Sequence, residues 1–101
     1  MKIGKLYQIN KSFWYLYPTK DIAADAGKTV PPATHHAPQA DTATYLSKRY
    51  NCNITTENSI FCLIEKDEKY LKVITSNGEI GWMIYPENEN WTKDCFEEVK
   101  L

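Results

Sequence analysis

Two adjacent histidines, three cysteines and two acidic pairs are the groups in this 101-residue chain whose chemistry could drive a reaction. His35 and His36 lie in a proline-flanked stretch that reads as extended. Neighbouring side chains on an extended backbone point in opposite directions. The two imidazoles therefore chelate one ion poorly, and no Asp, Glu or Cys stands beside them at ligand spacing. They read as a solvated loop pair. Cys52, Cys62 and Cys95 are an odd number at wide intervals. A disulfide framework wants an even count in a secreted chain, and a zinc site wants close pairs. All three are expected as reduced thiols, with Cys62 serving as a small hydrophobe inside an apolar strand. Asp67-Glu68 and Glu97-Glu98 are sequence neighbours, not carboxylates converging across a cleft, and read as solvated faces. A cysteine nucleophile is one reading of these groups, and it needs Cys52 or Cys95 to fold against the histidine stretch. The favoured reading is a non-enzyme that calls for no cofactor and no metal.

The stronger signal is aromatic: seven Tyr, three Trp and three Phe. Aromatic side chains give large contact area at small entropic cost, which makes them the best candidates for a binding surface. Five are named as ligand-binding candidates: Tyr15 and Tyr17 in the run Phe13-Trp14-Tyr15-Leu16-Tyr17, then Trp82, Tyr85 and Trp91. A core this small must also be filled, so alternate members of the 13–17 run divide between core and rim. Trp82 reads as core or lip packing, and Trp91 as the more exposed by context. The partner this predicts is a protein or peptide, recognised through this aromatic surface together with the long loop at residues 19–44. Nucleic acid is the second class, through Lys48, Arg49 and nearby aromatics that stack bases. It is disfavoured because a net charge of −1 leaves no basic stripe to neutralise phosphates.

These residues need a scaffold, and the composition allows one. At 101 residues, 43% hydrophobic and 25% charged, the chain reads as one soluble globular domain with a small core. No apolar stretch follows Met1–Lys5 as a signal peptide would require, and no run is long enough to span a bilayer. The expected location is the cytoplasm, without a membrane. The Asn-x-Ser/Thr matches at Asn10, Asn53 and Asn90 then carry no weight.

The most patterned stretch is 60–84. Ile60 to Ile64 is a short apolar run rich in β-branched residues and reads as a strand, ended by a solvated turn at Glu65–Lys69. Tyr70 to Thr75 alternates, with Leu71 and Val73 on one face and Tyr70, Lys72 and Ile74 on the other. Asn77-Gly78 predicts a hairpin with a type I′ turn, which needs two positive φ angles. Glu79 to Tyr85 resumes the alternation with Ile80, Trp82 and Ile84 on one face, and Gly81 marks a bulge or a close backbone approach. Ile3 to Ile9 reads as a first strand, and Cys95 to Leu101 as a last strand that pairs with it to close a barrel. Phe13 to Tyr17 stops at Pro18, which predicts an edge or strand end, in a hairpin with the first strand or as its kinked continuation. Residues 19–44 are alanine-rich and hold three of the five prolines. They read as a long irregular loop, an exposed arm with a helical turn at Asp21–Ala26 stopped by Gly27. Tyr45–Asn51 is a short helix or strand, Asn51–Ser59 a polar turn, and 85–94 a loop with a helical or 3₁₀ turn anchored by Trp91.

The segment Lys72-Val73 through Asn77-Gly78-Glu79-Ile80-Gly81-Trp82-Met83-Ile84 resembles the bacterial SH3 pattern. There a lysine-valine strand leads through a glycine turn into Gly-Trp and aliphatic residues. Phe96-Glu97-Glu98-Val99 is similar to that family's last strand. The resemblance covers roughly residues 3–9 and 58–101. It implies an all-β, SH3-like barrel of five to six strands with residues 19–44 as its enlarged first loop. It also implies a peptide groove near Tyr15 and Tyr17. Tyr70 stands where the family opens its third strand with tryptophan, Ile84 stands in the place of a groove proline, and Tyr85-Pro86 comes late. The reading is therefore a binding or assembly module of broader type than a PxxP receptor. Its exposed aromatics and strand edges also suit a homodimer.

Overall fold

A computed structural model describes residues 1–86, 90–92 and 94–100. Glu87, Asn88, Glu89, Lys93 and Leu101, which the sequence reading assigned to the 85–94 loop and the last strand, lie outside the described residues. Among the described residues, eight strands and two α-helices follow the order β1 (Leu6–Ile9), β2 (Phe13–Leu16), α1 (Lys20–Ala26), β3 (Ala33–Thr34), α2 (Ala40–Tyr50), β4 (Asn53–Ile54), β5 (Ile60–Asp67), β6 (Tyr70–Thr75), β7 (Ile80–Ile84) and β8 (Phe96–Glu98). A 3₁₀ turn, Asn90–Thr92, precedes β8. The strands form two open antiparallel sheets, β7-β6-β5-β1-β8 and β3-β2-β4, in place of the single closed barrel the sequence suggested.

The meander β5–β7 keeps its predicted period. Leu71 and Val73 are buried while Tyr70, Lys72 and Ile74 are half-exposed, because successive side chains of a strand point to opposite faces. Each such leucine or valine is worth roughly 1.5–3 kcal/mol of burial. Two details differ from expectation. β5 does not stop at Ile64; it continues through the charged cluster to Asp67 past an irregularity between Leu63 and Glu65. Its outward charges are tolerated there because Glu65 faces Lys72 across the ladder, with Nζ to Oε2 at 3.5 Å. The β6–β7 hairpin is real, but its turn is not type I′. Gly78 alone has positive φ (83°), its N–H donates to the Thr75 carbonyl at 2.9 Å, and Thr75 N–H bonds to the Glu79 carbonyl at 2.8 Å. That is a three-residue loop with one left-handed residue, which needs one glycine rather than a pair of permissive positions. The predicted alternation of β7 holds, with Gly81 and Met83 buried on one face and Ile80, Trp82 and Ile84 on the other, where Ile80 is 57% exposed and Ile84 buried. Gly81 sits where backbones approach: a Cβ there would lie 3.0 Å from Leu16 Cβ and 3.3 Å from the Tyr17 carbonyl.

β1 pairs with both β5 and β8, so the first and last strands meet as expected. The chain then turns at Ser12, whose φ is 75°, and β2 crosses into the second sheet. β2 is the central strand of that sheet and not an edge. Pro18 lies beyond its last residue, so the missing N–H of proline costs the ladder nothing. Thr55 locks the far side: its hydroxyl donates to the Trp14 carbonyl at 3.1 Å and accepts from the Trp14 N–H at 3.3 Å. The two sheets join at a bridge between Tyr17 and Trp82, whose N–H groups bond reciprocally to each other's carbonyls at 2.8 and 2.7 Å.

Residues 19–44 are more regular than the loop expected, and the helical turn foreseen at Asp21–Ala26 with its Gly27 stop is α1. Thr19 caps α1, its hydroxyl oxygen accepting from the Ile22 N–H at 3.1 Å, and Gly27 ends the helix with its N–H on the Ala23 carbonyl. Ala23 and Ala26 are fully buried, because a helix with methyl groups at these inward positions can lie close to β7. α2 starts after Pro38, buries Leu46 and Tyr50 one turn apart, and ends at Asn51 in the left-handed conformation.

Candidate functional site

β2 divides the interior into two hydrophobic clusters. Trp14 and Leu16 face the first with Tyr7, Ile9, Phe61, Leu63, Leu71, Val73, Met83 and Cys95. Tyr15 and Tyr17 face the second with Ala23, Ala26, Leu46, Tyr50, Cys52 and Ile84. The period-2 geometry of a strand covered on both sides sends every member of Trp14–Tyr17 into one core or the other. Tyr15 and Tyr17 are 2% and 1% exposed, so their side chains give structure to the second core and offer no surface to a ligand in this conformation.

The remaining candidates reach the outside at two different places. Trp82 is half-buried on β7, packed against the second cluster, with the Lys20 and Lys72 ammonium groups 5.8 and 5.9 Å from its ring centre. Both lysines are paired, Lys20 with Asp67 and Lys72 with Glu65. The Asp67 carboxylate raises the Lys20 pKa, first through the hydrogen bond and then through charge.

Trp91 and Tyr85 belong together elsewhere. Trp14, wholly buried and donating its indole N–H to the Lys11 carbonyl at 3.2 Å, is the base of an aromatic stack. Trp91 is stacked on it with an offset, 5.6 Å between ring centres and 22° between planes. Phe96 at 4.7 Å and Tyr85 at 6.1 Å flank it, and Tyr85 touches Phe96 at 5.3 Å. Trp91 stays 39% exposed. Its outward side borders an open cleft of about 350 Å³ whose other walls are Ser12, Pro31, Pro32, Ala33 and His35. β3 holds that wall in place by pairing Ala33 with Trp14 and Thr34 with Phe13.

Trp14 was not among the sequence candidates, and Pro31–His35 entered only as part of the 19–44 loop, without its residues being named as ligand contacts. A continuous aromatic run signals a strand buried on both sides, and that could have placed Trp14. Nothing local could place a proline pair opposite a tryptophan 60 positions away. The cleft offers prolyl rings and an indole face for apolar contact, with the His35 imidazole and the Ser12 hydroxyl as the polar groups nearby.

The other chemistry is dispersed. His35 and His36 are exposed, and the His36 carbonyl accepts from the Thr34 hydroxyl at 2.7 Å. Among the described residues no group of three His, Cys, Asp or Glu could hold a metal ion. Cys52 and Cys95 are buried, and Cys62 is half-exposed. Burial pushes the Cys52 thiol up to about 11 and raises that of Cys95, the reverse of the shift an activated thiolate shows. Lys48 and Arg49 lie in the last turn of α2, where Arg49 stacks over the Tyr50 ring at 5.5 Å. Among the described residues no helix is long and apolar enough to cross a membrane. Comparison with protein-family models, with curated proteins and with solved structures found no match for this chain.

Proposed function

We propose that the protein is a non-catalytic binding module that takes an extended apolar segment of a protein partner into the cleft between Trp91 and Pro31–His35. One observation carries this reading: a tryptophan stacked on a buried one is left 39% exposed at the rim of a cleft lined by prolines. Stacking on Trp14 spends the orientational entropy of the Trp91 ring in advance, and a rigid aromatic face loses little on binding. Partner-binding tryptophans in well-packed surroundings are the residues that dominate interface energies. We further read the fold as a variant of the SH3-like barrel. The strand order β8-β1-β5-β6-β7 and the 3₁₀ turn before β8 support that kinship. The insertion between β1 and β5 builds the second sheet and one wall of the cleft.

Peptides selected from a random displayed library on the wild-type protein, with counter-selection on Trp91→Ala, test the reading. Enriched sequences should carry apolar or prolyl residues in extended runs, and their binding should fall at least tenfold in the variant, the loss of about 1.4 kcal/mol or more expected of a hot-spot residue. Enrichment of sequences that bind both proteins equally would move the site elsewhere.

A further inference from the structure

The segment Val30–Ala33 has a second cleft on its other side. Pro32 lines both. This one, of about 280 Å³, lies between the end of α1, the β5–β6 turn and the end of β7, and is walled by Ala24, Gly27, Lys28, Val30, Pro32, Lys69, Tyr70 and Ile84. Its floor is apolar, with the Ile84 and Val30 side chains and the Tyr70 ring. Gly27 lets the floor form, since a Cβ there would stand 2.9 Å from Ile84 Cδ1. Its charged lining is entirely cationic. Lys28 reaches Asp25 only at 3.9 Å, and Lys69 makes no ion pair among the described residues, resting over the Tyr70 ring at 5.9 Å. One positive charge is thus left uncompensated beside an apolar hollow, in a protein whose net charge is −1.

We propose that this cleft binds a small amphipathic monoanion, an aromatic or branched aliphatic group carrying one carboxylate. The apolar body would sit on Val30, Ile84 and Tyr70, and the carboxylate would reach Lys69 and Lys28. A cation is repelled by that rim, and a neutral apolar molecule leaves the ammonium charge without its counterpart. A polyanion such as a nucleotide finds no backbone N–H cradle and no arginine fork among these residues. The volume sits at the small end of the range for ligand pockets, enough for a single ring or branched chain. This inference stands apart from the Trp91 cleft.

The probe is 4-phenylbutyrate, followed by backbone amide and methyl NMR, with 4-phenylbutyramide as its uncharged twin. N-acetyl-leucyl-phenylalanine and its C-terminal amide form a second pair that asks whether the carboxylate belongs to a chain end. The expected result is saturable shifts at Gly27, Val30, Tyr70 and Ile84 with a carboxylate probe, at least tenfold weaker with its amide. Whichever carboxylate binds tighter identifies the source. Lys69→Gln and Lys28→Gln, both at exposed positions, should each weaken binding about two- to fivefold, as exposed ion pairs do, with unchanged melting. Trp91→Ala should leave these shifts intact, so failure here and failure of the peptide reading are separable. Equal binding of acid and amide, unchanged binding in the double lysine variant, or no shift at these four residues up to probe solubility would overturn the proposal.

Discussion

The two hydrophobic clusters on either side of β2 are built from different materials. The first is filled by large apolar side chains, Ile9, Phe61, Leu63, Leu71, Val73 and Met83 around Trp14. They are held between strands whose ladders fix each Cα. The second is assembled from two alanines, one leucine, one cysteine, one isoleucine and three tyrosines, under helices of seven and eleven residues. Each tyrosine brings a hydroxyl that must find a partner when buried. The Tyr17 hydroxyl finds none among the described residues, and burial raises its pKa well above the ordinary range, helped by Cys52, Tyr15 and Tyr50 nearby. The lesson is that a strand can serve two cores of unequal quality. The better one carries the exposed aromatic stack, which asks for a rigid base. The second closes the far side and shapes the lysine-rimmed cleft.

The sharpest way to break this contrast is the same substitution in each cluster. Leu71→Ala and Leu46→Ala should both destabilise, within the roughly 2–5 kcal/mol typical of buried leucines. Leu71 belongs at the upper end because β5 and β7 hold its surroundings open, and Leu46 at the lower end because α2 can settle inward. Urea unfolding of both variants measures it, and equal costs would remove the distinction. Next in size is Tyr17→Phe. Deleting a buried hydroxyl without a partner removes a desolvation penalty of about 1–3 kcal/mol. The variant should therefore be more stable than the parent by about 1 kcal/mol, whereas a loss of stability would show that the hydroxyl is satisfied.

A smaller effect comes from alkaline pH. The Cys52 thiol titrates near 9.0 when unfolded and at about 11 when folded. The folded state then keeps a proton the unfolded chain releases, so the contribution is complete below pH 9 and is lost as pH rises towards 11. Tyr17 acts in the same direction. The melting temperature should fall across that window, and Cys52→Ala should flatten part of the fall. A pH-independent melting temperature between 9 and 11 would contradict the burial of Cys52.

What could be read from the sequence follows the same division. Meander strands declare themselves because a half-buried strand must alternate, and Leu71/Val73 against Lys72/Ile74 does so. The first and last strands were legible for the same reason. The hairpin between β6 and β7 was legible in Asn77-Gly78, but its type was not, since one positive φ or two depends on how many residues span the turn. The second cluster left a fainter trace: the helical turn at Asp21–Ala26 with its Gly27 stop was legible and is α1, but its packing was not. Ala23 and Ala26 carry too little apolar surface to stand out, yet their smallness is what lets α1 lie on β7. Aromatic content pointed to a surface, and Trp91 does border one. Tyr15 and Tyr17 misled because the unbroken run Phe13–Tyr17 was divided between core and rim, whereas such a run marks a strand covered on both faces.

The most direct test of the central claim, that Trp91 and Pro31–His35 form a ligand cleft, is NMR titration of the wild-type protein with its best selected peptide. The account predicts that the Trp91 indole N–H and the amides of Ala33 and His35 shift together with one affinity, while Ile80 and Tyr45 stay still. It also predicts that Trp91→Ala loses at least tenfold in affinity yet keeps the dispersed spectrum of the folded chain. Shifts confined to other surfaces, with Trp91 and the proline wall silent at saturation, would contradict it.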